Sequence, residues 1–140
     1  MGMYTELVLG VNLRSDTPEN VIDILYYMLA GTCNIIAPET TDHPLFQTER
    51  WRFMLTCDSY YFDGHTDSSM ERDDISHEYE LNVRTNLKNY DNEIRLFLDF
   101  IRPYLVTDGF LGYTRYEEDD DPTLIYNNVY SGAIEYKEVK

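Results

Sequence analysis

The sequence is poor in the residues that mark secreted and membrane-spanning proteins. It contains only two cysteines, Cys33 and Cys57, which are too few for the disulfide framework of a small secreted domain. No apolar run approaches the roughly 20 residues that a membrane span needs. The first ten residues also lack the basic and apolar regions of a signal peptide. We therefore expect a cytoplasmic protein in which both thiols are buried and reduced.

Basic residues are scarce as well. The 140 residues include 26 aspartates and glutamates but only 11 lysines and arginines, which leaves a net charge of −15. Such a chain repels the phosphates of nucleic acids and of anionic lipids, so we expect no direct binding to nucleic acid or to membranes. It would instead be attracted to a basic protein surface. The alternative is that the acidity serves solubility alone.

Motifs that carry known chemistry are absent too. The sequence has no glycine-rich phosphate loop, no dinucleotide-binding fingerprint and no nucleophile elbow. Cys57 is followed by Asp58, whose negative charge would raise the pKa of the thiol and make it a poorer nucleophile. Pairs of carboxylates are expected by chance in so acidic a chain. The sequence therefore leans towards a non-enzymatic protein, and it indicates no catalytic residue and no cofactor.

A metal site could be drawn from four side chains of the polar segment 63–77, namely Asp63, His65, Asp67 and His77. Their spacing matches neither the paired-histidine and paired-cysteine patterns of zinc sites nor the residue order of a calcium-binding loop. We therefore predict that these side chains are solvated and hold no metal.

Hydrophobic periodicity predicts both strands and helices. Apolar and polar residues alternate over residues 4–13 and 78–85, as they do in strands buried on one face. The first helix is predicted to begin with Thr17 as its N-cap and Pro18 in its first turn. Gly31 suits the left-handed position beyond its C-terminus.

The second helix is predicted to begin at Asn89, as N-cap, and to end at Pro103. Between them the apolar residues form a wide stripe at helical spacing, so we expect this helix to lie deep against the sheet. Low strand propensity predicts a long hairpin tip over the polar segment 63–77. The remaining strands are predicted over residues 51–57, 60–62, 110–116 and 123–126, with a last extended piece over 130–136.

These elements follow the order β-α-β-β-β-α-β-β, with the last piece as an additional strand, and they predict one domain over residues 1–140. We expect an α+β fold, a two-layer sandwich in which a mostly antiparallel sheet of five to seven strands carries both helices on one face. Such a sandwich is a variant of the ferredoxin-like arrangement. The predicted core consists of Leu7, Leu9, Leu25, Leu29, Phe53, Leu55, Leu81, Val83, Phe97, Leu98 and Ile101.

A run of five acids that ends just before Pro122 is the strongest candidate for a binding site. The proline and the mutual repulsion of the carboxylates exclude a strand interior, so the run is predicted to form an exposed hairpin tip. Tyrosines flank it, and tyrosine offers a large contact area at low entropic cost. The alternative is an ordinary solvated turn with tyrosines in the sheet. The predicted partner-binding residues are Glu117, Glu118, Asp119, Asp120, Asp121, Tyr113 and Tyr116, with Tyr126 and Tyr130 nearby.

Two functions are compatible with this sequence. The first is a small acidic interaction protein whose anionic, tyrosine-rich surface docks a basic site on a protein partner. In size and charge the chain resembles small acidic proteins of phages and mobile elements, which implies an inhibitor that mimics nucleic acid. The second is a small-ligand-binding or enzymatic domain with its site in the tyrosine-rich sheet or in the 58–80 loop, where eight acids accompany a single arginine. A carboxylate band without a cavity would favour the first, and a deep pocket with convergent polar groups the second.

Overall fold

Antiparallel pairing joins six strands into a single sheet. The structure, a computed structural model, describes residues 3–30, 36–59, 62–64 and 66–139. The strands lie in the order β2-β3-β1-β4-β5-β6, and all neighbouring pairs are antiparallel. The predicted α+β fold with an antiparallel sheet and two helices is confirmed. In chain order the elements are β1 (Thr5–Leu13), α1 (Glu19–Leu29), β2 (Ser69–Arg72), β3 (Tyr79–Leu87), α2 (Glu93–Ile101), β4 (Gly109–Tyr116), β5 (Thr123–Asn128) and β6 (Ala133–Glu138).

The first six elements follow the element order of a ferredoxin-like unit, and β5 and β6 extend the sheet beyond β4. The exact predicted order is not confirmed: between α1 and β3 the pattern predicted strands over 51–57 and 60–62, whereas the described residues there contain one strand, β2. The additional terminal strand is present as β6. Within the described ranges, neither helix is long and apolar enough to cross a bilayer.

Strands β1 and β3 form the centre of the sheet and pair along their whole length. Alternate residues of β1, from Thr5 to Leu13, are buried on one face, and Leu81 and Val83 of β3 lie on the same face. Side chains of both helices join these residues in one continuous core, so both helices cover this side of the sheet. We call it the helix face and the opposite side the open face. Burying each large apolar side chain contributes about 1.5–3 kcal/mol, which makes this layer contact the main source of stability.

Nine of the eleven side chains predicted for the core are buried. The exceptions are Leu29, which is half-buried and packs against the core, and Phe53, which is 46% exposed. The prediction is therefore confirmed for the centre of the core and is wrong for Phe53 in the segment 51–57. Buried side chains that it omitted include Leu13, Ile24, Met28, Leu45, Trp51 and Met54.

Residues 51–57 do not form the predicted strand. The segment begins with a 3-10 turn at Trp51–Phe53 and continues through further turns. Its largest buried side chains are Trp51, Met54 and Leu55. Their i, i+3, i+4 spacing is that of a helical turn, which competes with the apparent alternation of apolar residues. The Thr85 hydroxyl of β3 fixes the segment, since it donates to the Met54 carbonyl at 2.8 Å and accepts from the Cys57 amide at 3.2 Å.

The polar segment predicted as a hairpin tip over residues 63–77 contains β2. This strand pairs with β3 from Ser69 opposite Asn82 to Arg72 opposite Tyr79. Only its Met70 side chain is buried. A four-residue strand of low propensity forms here because the edge of β3 offers backbone groups that need hydrogen-bond partners. Most of the predicted strand 60–62 lies outside the described residues.

Both helices begin later than predicted. Pro18 occupies the N-cap position of α1, and the Thr17 hydroxyl donates to a backbone carbonyl three residues earlier instead of capping the helix. Asn92, with a φ of 62°, occupies the N-cap position of α2. Asn89 nevertheless satisfies the first turn of α2, because its side-chain oxygen accepts from a backbone N–H there at 3.0 Å. Gly31, predicted to follow α1, lies outside the described residues.

Candidate functional site

The run of five acids forms the turn between β4 and β5. Its first residue, Glu117, is tied to the start of the sheet, since its backbone N–H donates to the Tyr4 carbonyl at 3.0 Å. Its carboxylate also accepts from the backbone N–H of Tyr4. The Asp119 amide donates to the Tyr116 carbonyl at 2.9 Å and tightens the turn. The four acids from Glu118 onwards are exposed, as the repulsion among them requires.

The β4–β5 turn borders a cleft of about 540 Å³ on the open face, which we call the acidic cleft. Asp63 reaches this cleft from the loop before β2, so acids from two separate parts of the sequence meet there. Two guanidinium groups, those of Arg84 and Arg115, face five carboxylates. The carboxylates lining the cleft belong to Glu6, Asp63, Glu117, Asp119 and Asp120.

Glu6 lies at the floor of the acidic cleft with its side chain 3% exposed. Its two carboxylate oxygens lie 3.3 Å from the Nη2 atoms of Arg84 and Arg115, which come from β3 and β4 on either side of β1. The Arg115 contact is an ion pair without hydrogen-bond geometry. Arg84 also donates to the Asp63 carbonyl at 2.9 Å, and Arg115 lies over the Phe62 ring at 4.9 Å. Both arginines are thus held by Glu6 and by the loop before β2.

A second concavity of about 410 Å³ lies on the other side of the β4–β5 turn. Glu138 of β6 lines it together with the exposed acids of the turn, and no lysine or arginine is among its described lining residues. Carboxylates from three elements therefore surround the turn. We call this set the acidic band: Asp63, Glu117, Glu118, Asp119, Asp120, Asp121 and Glu138.

The tyrosines near the acidic run do not form one ring around it. Tyr113 lines the acidic cleft on the open face, where Tyr126 also lies, 4.4 Å beneath the ammonium group of Lys137. Tyr116 is half-buried on the helix face. Tyr130 lies in the β5–β6 turn at the opposite end of the strands and is 98% exposed. Of the two tyrosines predicted to bind a partner, Tyr113 alone shares the acidic cleft.

No known protein family, curated protein or solved structure matches the chain. The geometry of its own residues is therefore the guide to what it does.

The environment of Tyr116 shows the influence of the acidic turn. Burial raises the pKa of its phenol, and the negative charges of Glu118 and Glu117 raise it further. The Tyr116 phenol is therefore uncharged at neutral pH.

The candidate metal ligands and the thiols are only partly within the described residues. No group of three or more histidine, cysteine, aspartate or glutamate side chains there could hold a metal ion. His65, one of the four residues weighed as ligands, and Cys33 lie outside the described residues. Burial raises the pKa of the half-buried Cys57 thiol, which lowers its thiolate fraction at neutral pH.

The sequence analysis missed the residues at the floor of the acidic cleft. Glu6, Arg84 and Arg115 all occupy open-face positions of their strands, where charged side chains are ordinary. Opposite charges on three strands become a signal only when those strands are known to be neighbours. Phe62 and Asp63 complete the lining of the cleft from the segment before β2, and no periodic pattern predicts where they lie.

Proposed function

We propose that this chain is a non-enzymatic interaction protein whose acidic band docks a basic site on a partner protein. Mimicry of nucleic acid is the form of this function that the charge favours, because a partner that binds phosphates presents such a site. The observation that carries the proposal is the convergence of carboxylates from three separate elements on two adjoining concavities around one turn.

Three exposed carboxylates of the acidic band are available to pair with basic side chains of a partner. Within the described ranges, the side chains of Glu118, Asp120 and Asp121 form no salt bridge, whereas the two arginines of the acidic cleft are already paired with Glu6. An exposed band of like charge speeds association with a basic surface and is screened by salt. The arginine pair keeps Glu6 from adding a buried, uncompensated charge beneath the band.

Tyr113 is the side chain best placed to anchor a docked partner. It lies on the open face, half-buried, at the wall of the acidic cleft. Aromatic side chains at the centre of an interface act mainly on dissociation, while peripheral charges act on association. Tyr116 faces the helices instead, so we expect its replacement by alanine to affect stability more than docking.

The test begins with affinity capture of the partner from the native cell extract, followed by measurement of association and dissociation rates. Replacing Glu118, Asp120 and Asp121 with Gln, Asn and Asn leaves the tie between Glu117 and Tyr4 intact and removes three exposed charges. We expect slower association for this variant and an unchanged or slightly higher melting temperature, since the removed charges repel one another. Association of the unmodified protein should also slow as added salt shortens the Debye length from roughly 30 to 8 Å.

A matched control removes three exposed charges at the far end of the sheet, near the β2–β3 turn. Replacing Glu71, Asp74 and Glu80 with Gln, Asn and Gln changes the net charge equally. Association should slow more in the band variant than in this control, and Tyr113→Ala should speed dissociation. A captured partner whose binding ignores both salt and the band variant would refute the proposal, and the charge would then serve solubility.

A further inference from the structure

The outer edge of β6 carries no further strand within the described part of the chain. On its inner side, β6 pairs with β5 over six consecutive residues without a register shift, so its backbone is regular. The strand contains no proline. A regular edge of this length presents a row of unpaired backbone N–H and C=O groups with which another strand can pair. The sheet therefore ends in an edge that is suited to strand addition.

The opposite edge of the sheet, β2, is less suited to pairing with a copy of itself. It is four residues long, and a short edge strand is a common protection against strand addition. Its two charged residues, Glu71 and Arg72, are adjacent and point to opposite faces. Residues directly opposite each other in an antiparallel pair share a face, so two copies of β2 cannot place these opposite charges against each other.

Strand β6 carries its opposite charges two residues apart, at Glu135 and Lys137, so both lie on the open face. The Glu135 carboxylate accepts from the side-chain amide of Asn128 at 3.2 Å. The ammonium group of Lys137 lies 4.4 Å from the ring centroid of Tyr126. Neither Glu135 nor Lys137 forms a salt bridge with another described residue. A reversed copy of β6 presents the same two charges in the opposite order, so the strand is complementary to itself.

Charge selects the register of such a pair. When two identical strands pair antiparallel, one residue lies opposite itself on the two-fold axis, because opposite residues share a face. Glu135 or Lys137 on the axis would face its own copy, and like charges directly opposite each other are destabilising. With Tyr136 on the axis, Glu135 of each copy lies opposite Lys137 of the other. This register thus forms two opposite-charge pairs and one pair of tyrosines.

The ends of β6 are complementary in the same register. Glu138 is exposed at one end of the strand and would lie opposite Ile134 of the second copy. Beyond Ile134, the side chain of Arg102 reaches the β5–β6 turn, where its Nη1 atom lies 3.7 Å from the position of a Cβ on Gly132. Arg102 forms no salt bridge with any residue that the structure describes. An acid at the end of one copy therefore approaches a base of the other, while the two acidic turns lie at opposite ends of the pair.

We propose that β6 is an edge for self-association, at which two copies of this chain pair antiparallel with Tyr136 on the two-fold axis. The two sheets of six strands then form one continuous sheet. A contact along one short strand is small beside the roughly 1,200–2,000 Å² of a stable interface, so we expect a reversible dimer. This inference concerns the chain alone and does not depend on docking of the acidic band.

The test is sedimentation equilibrium of the full chain at concentrations from roughly 1 µM to 1 mM. The net charge of −15 opposes association of two copies, so the measurement is made at about 0.15 M salt, where the Debye length is about 8 Å. The average mass should rise from that of one chain towards that of two, with a Kd of about 1–100 µM.

Two charge reversals test the register. Glu135→Lys and Lys137→Glu each replace both opposite-charge pairs with like-charge pairs, so each should weaken self-association about tenfold or more. They change the net charge of −15 to −13 and −17, so a loss common to both cannot arise from overall charge. An equimolar mixture of the two variants restores both opposite-charge pairs, and its Kd should return to within about threefold of that of the unmodified protein.

The matched control is Glu71→Lys, which reverses an exposed charge on the other edge strand and changes the net charge as Glu135→Lys does. Its Kd should equal that of the unmodified protein. Three outcomes would each overturn the proposal: a single chain at every concentration, equal weakening by Glu71→Lys and Glu135→Lys, or a mixture of the two β6 variants that associates no better than either alone. None of them bears on the acidic band, whose test needs a captured partner and leaves β6 unchanged.

Discussion

Gly112 of β4 lies close against the backbone of β1, and its replacement by alanine tests the register of the sheet. The pairing of β4 with β5 shifts between Phe110 and Gly112, and Gly112 lies opposite Leu9 of β1. A Cβ atom on Gly112 would stand 1.9 Å from the Val8 carbonyl oxygen and 2.9 Å from its carbonyl carbon. Both are backbone atoms of a central strand, so neither yields as a flexible side chain would.

The expected cost of Gly112→Ala follows from two contributions. Overpacking by one methyl group costs about 1–3 kcal/mol, and a backbone conformation that alanine disfavours adds about 1–2 kcal/mol. The matched control is Gly109→Ala in the same strand, where φ is +80° but no atom lies within 4 Å of the added Cβ. The control therefore keeps an unfavourable positive φ, which costs about 1–2 kcal/mol, and lacks the steric clash.

Thermal unfolding followed by circular dichroism measures both variants. For 140 residues, an unfolding entropy of about 2.1 cal/mol/K per residue converts 2–5 kcal/mol into a fall of roughly 7–17 °C for Gly112→Ala. The corresponding fall for Gly109→Ala is roughly 3–7 °C. Equal melting temperatures for the two variants would show that β4 does not pass β1 as closely as described, and the assigned register would be wrong.

Two further predictions concern the core and the response to alkaline pH. Leu81→Ala and Phe97→Ala, at fully buried positions, should each lower the free energy of unfolding by about 2–5 kcal/mol. Phe53→Ala, at a 46% exposed position, should cost clearly less; equal losses in urea denaturation would contradict the core boundary. Because burial raises the folded-state pKa of Tyr136, its stabilising contribution is complete below about pH 10 and is lost as the pH rises through the raised value. Melting temperatures of Tyr136→Phe should therefore fall less steeply above pH 10 than those of the unmodified protein, and identical slopes would contradict this assignment.

The sequence pattern predicted those strands and helices in which the buried residues recur at one clear spacing. Residues 4–13 and 78–85 alternate without interruption, and they became the two central strands, β1 and β3. Such strands are fixed by their own pattern, since a slip of one residue would turn the whole apolar set towards solvent. The stripe of α2 was equally clear, because Phe97, Leu98 and Ile101 fit one helical face and all three are fully buried.

Elements that depend on a neighbour were not predictable in this way. Residues 51–57 contain both an alternating and a helical spacing of apolar residues, and the Thr85 hydroxyl on a distant strand decides between them. The short strand β2 has one buried side chain and exists because β3 offers it an edge. Local strand propensity depends on the residues of the segment itself, so it does not reflect either contact.

The candidate site was predictable in part for the same reason. Repulsion among adjacent carboxylates and the donor-free Pro122 are local facts, and they located the β4–β5 turn. Asp63 and Glu138 lie beside that turn because of the order of the strands in the sheet, and no local sequence pattern predicts that order. The separation of Tyr113 from Tyr116 did lie within reach of the pattern, since residues three apart in a strand point to opposite faces.

The same period of two separates the two tyrosines that were predicted to bind a partner. Tyr113 and Arg115 alternate with Thr114 along β4, so a strand residue that lines the acidic cleft cannot also face the helices. Asp119 of the turn lines both the acidic cleft and a concavity on the helix face, so its replacement would change the charge of both at once. Replacement of its exposed neighbours Glu118, Asp120 and Asp121 changes the acidic band and leaves the lining of the helix-face concavity as it is.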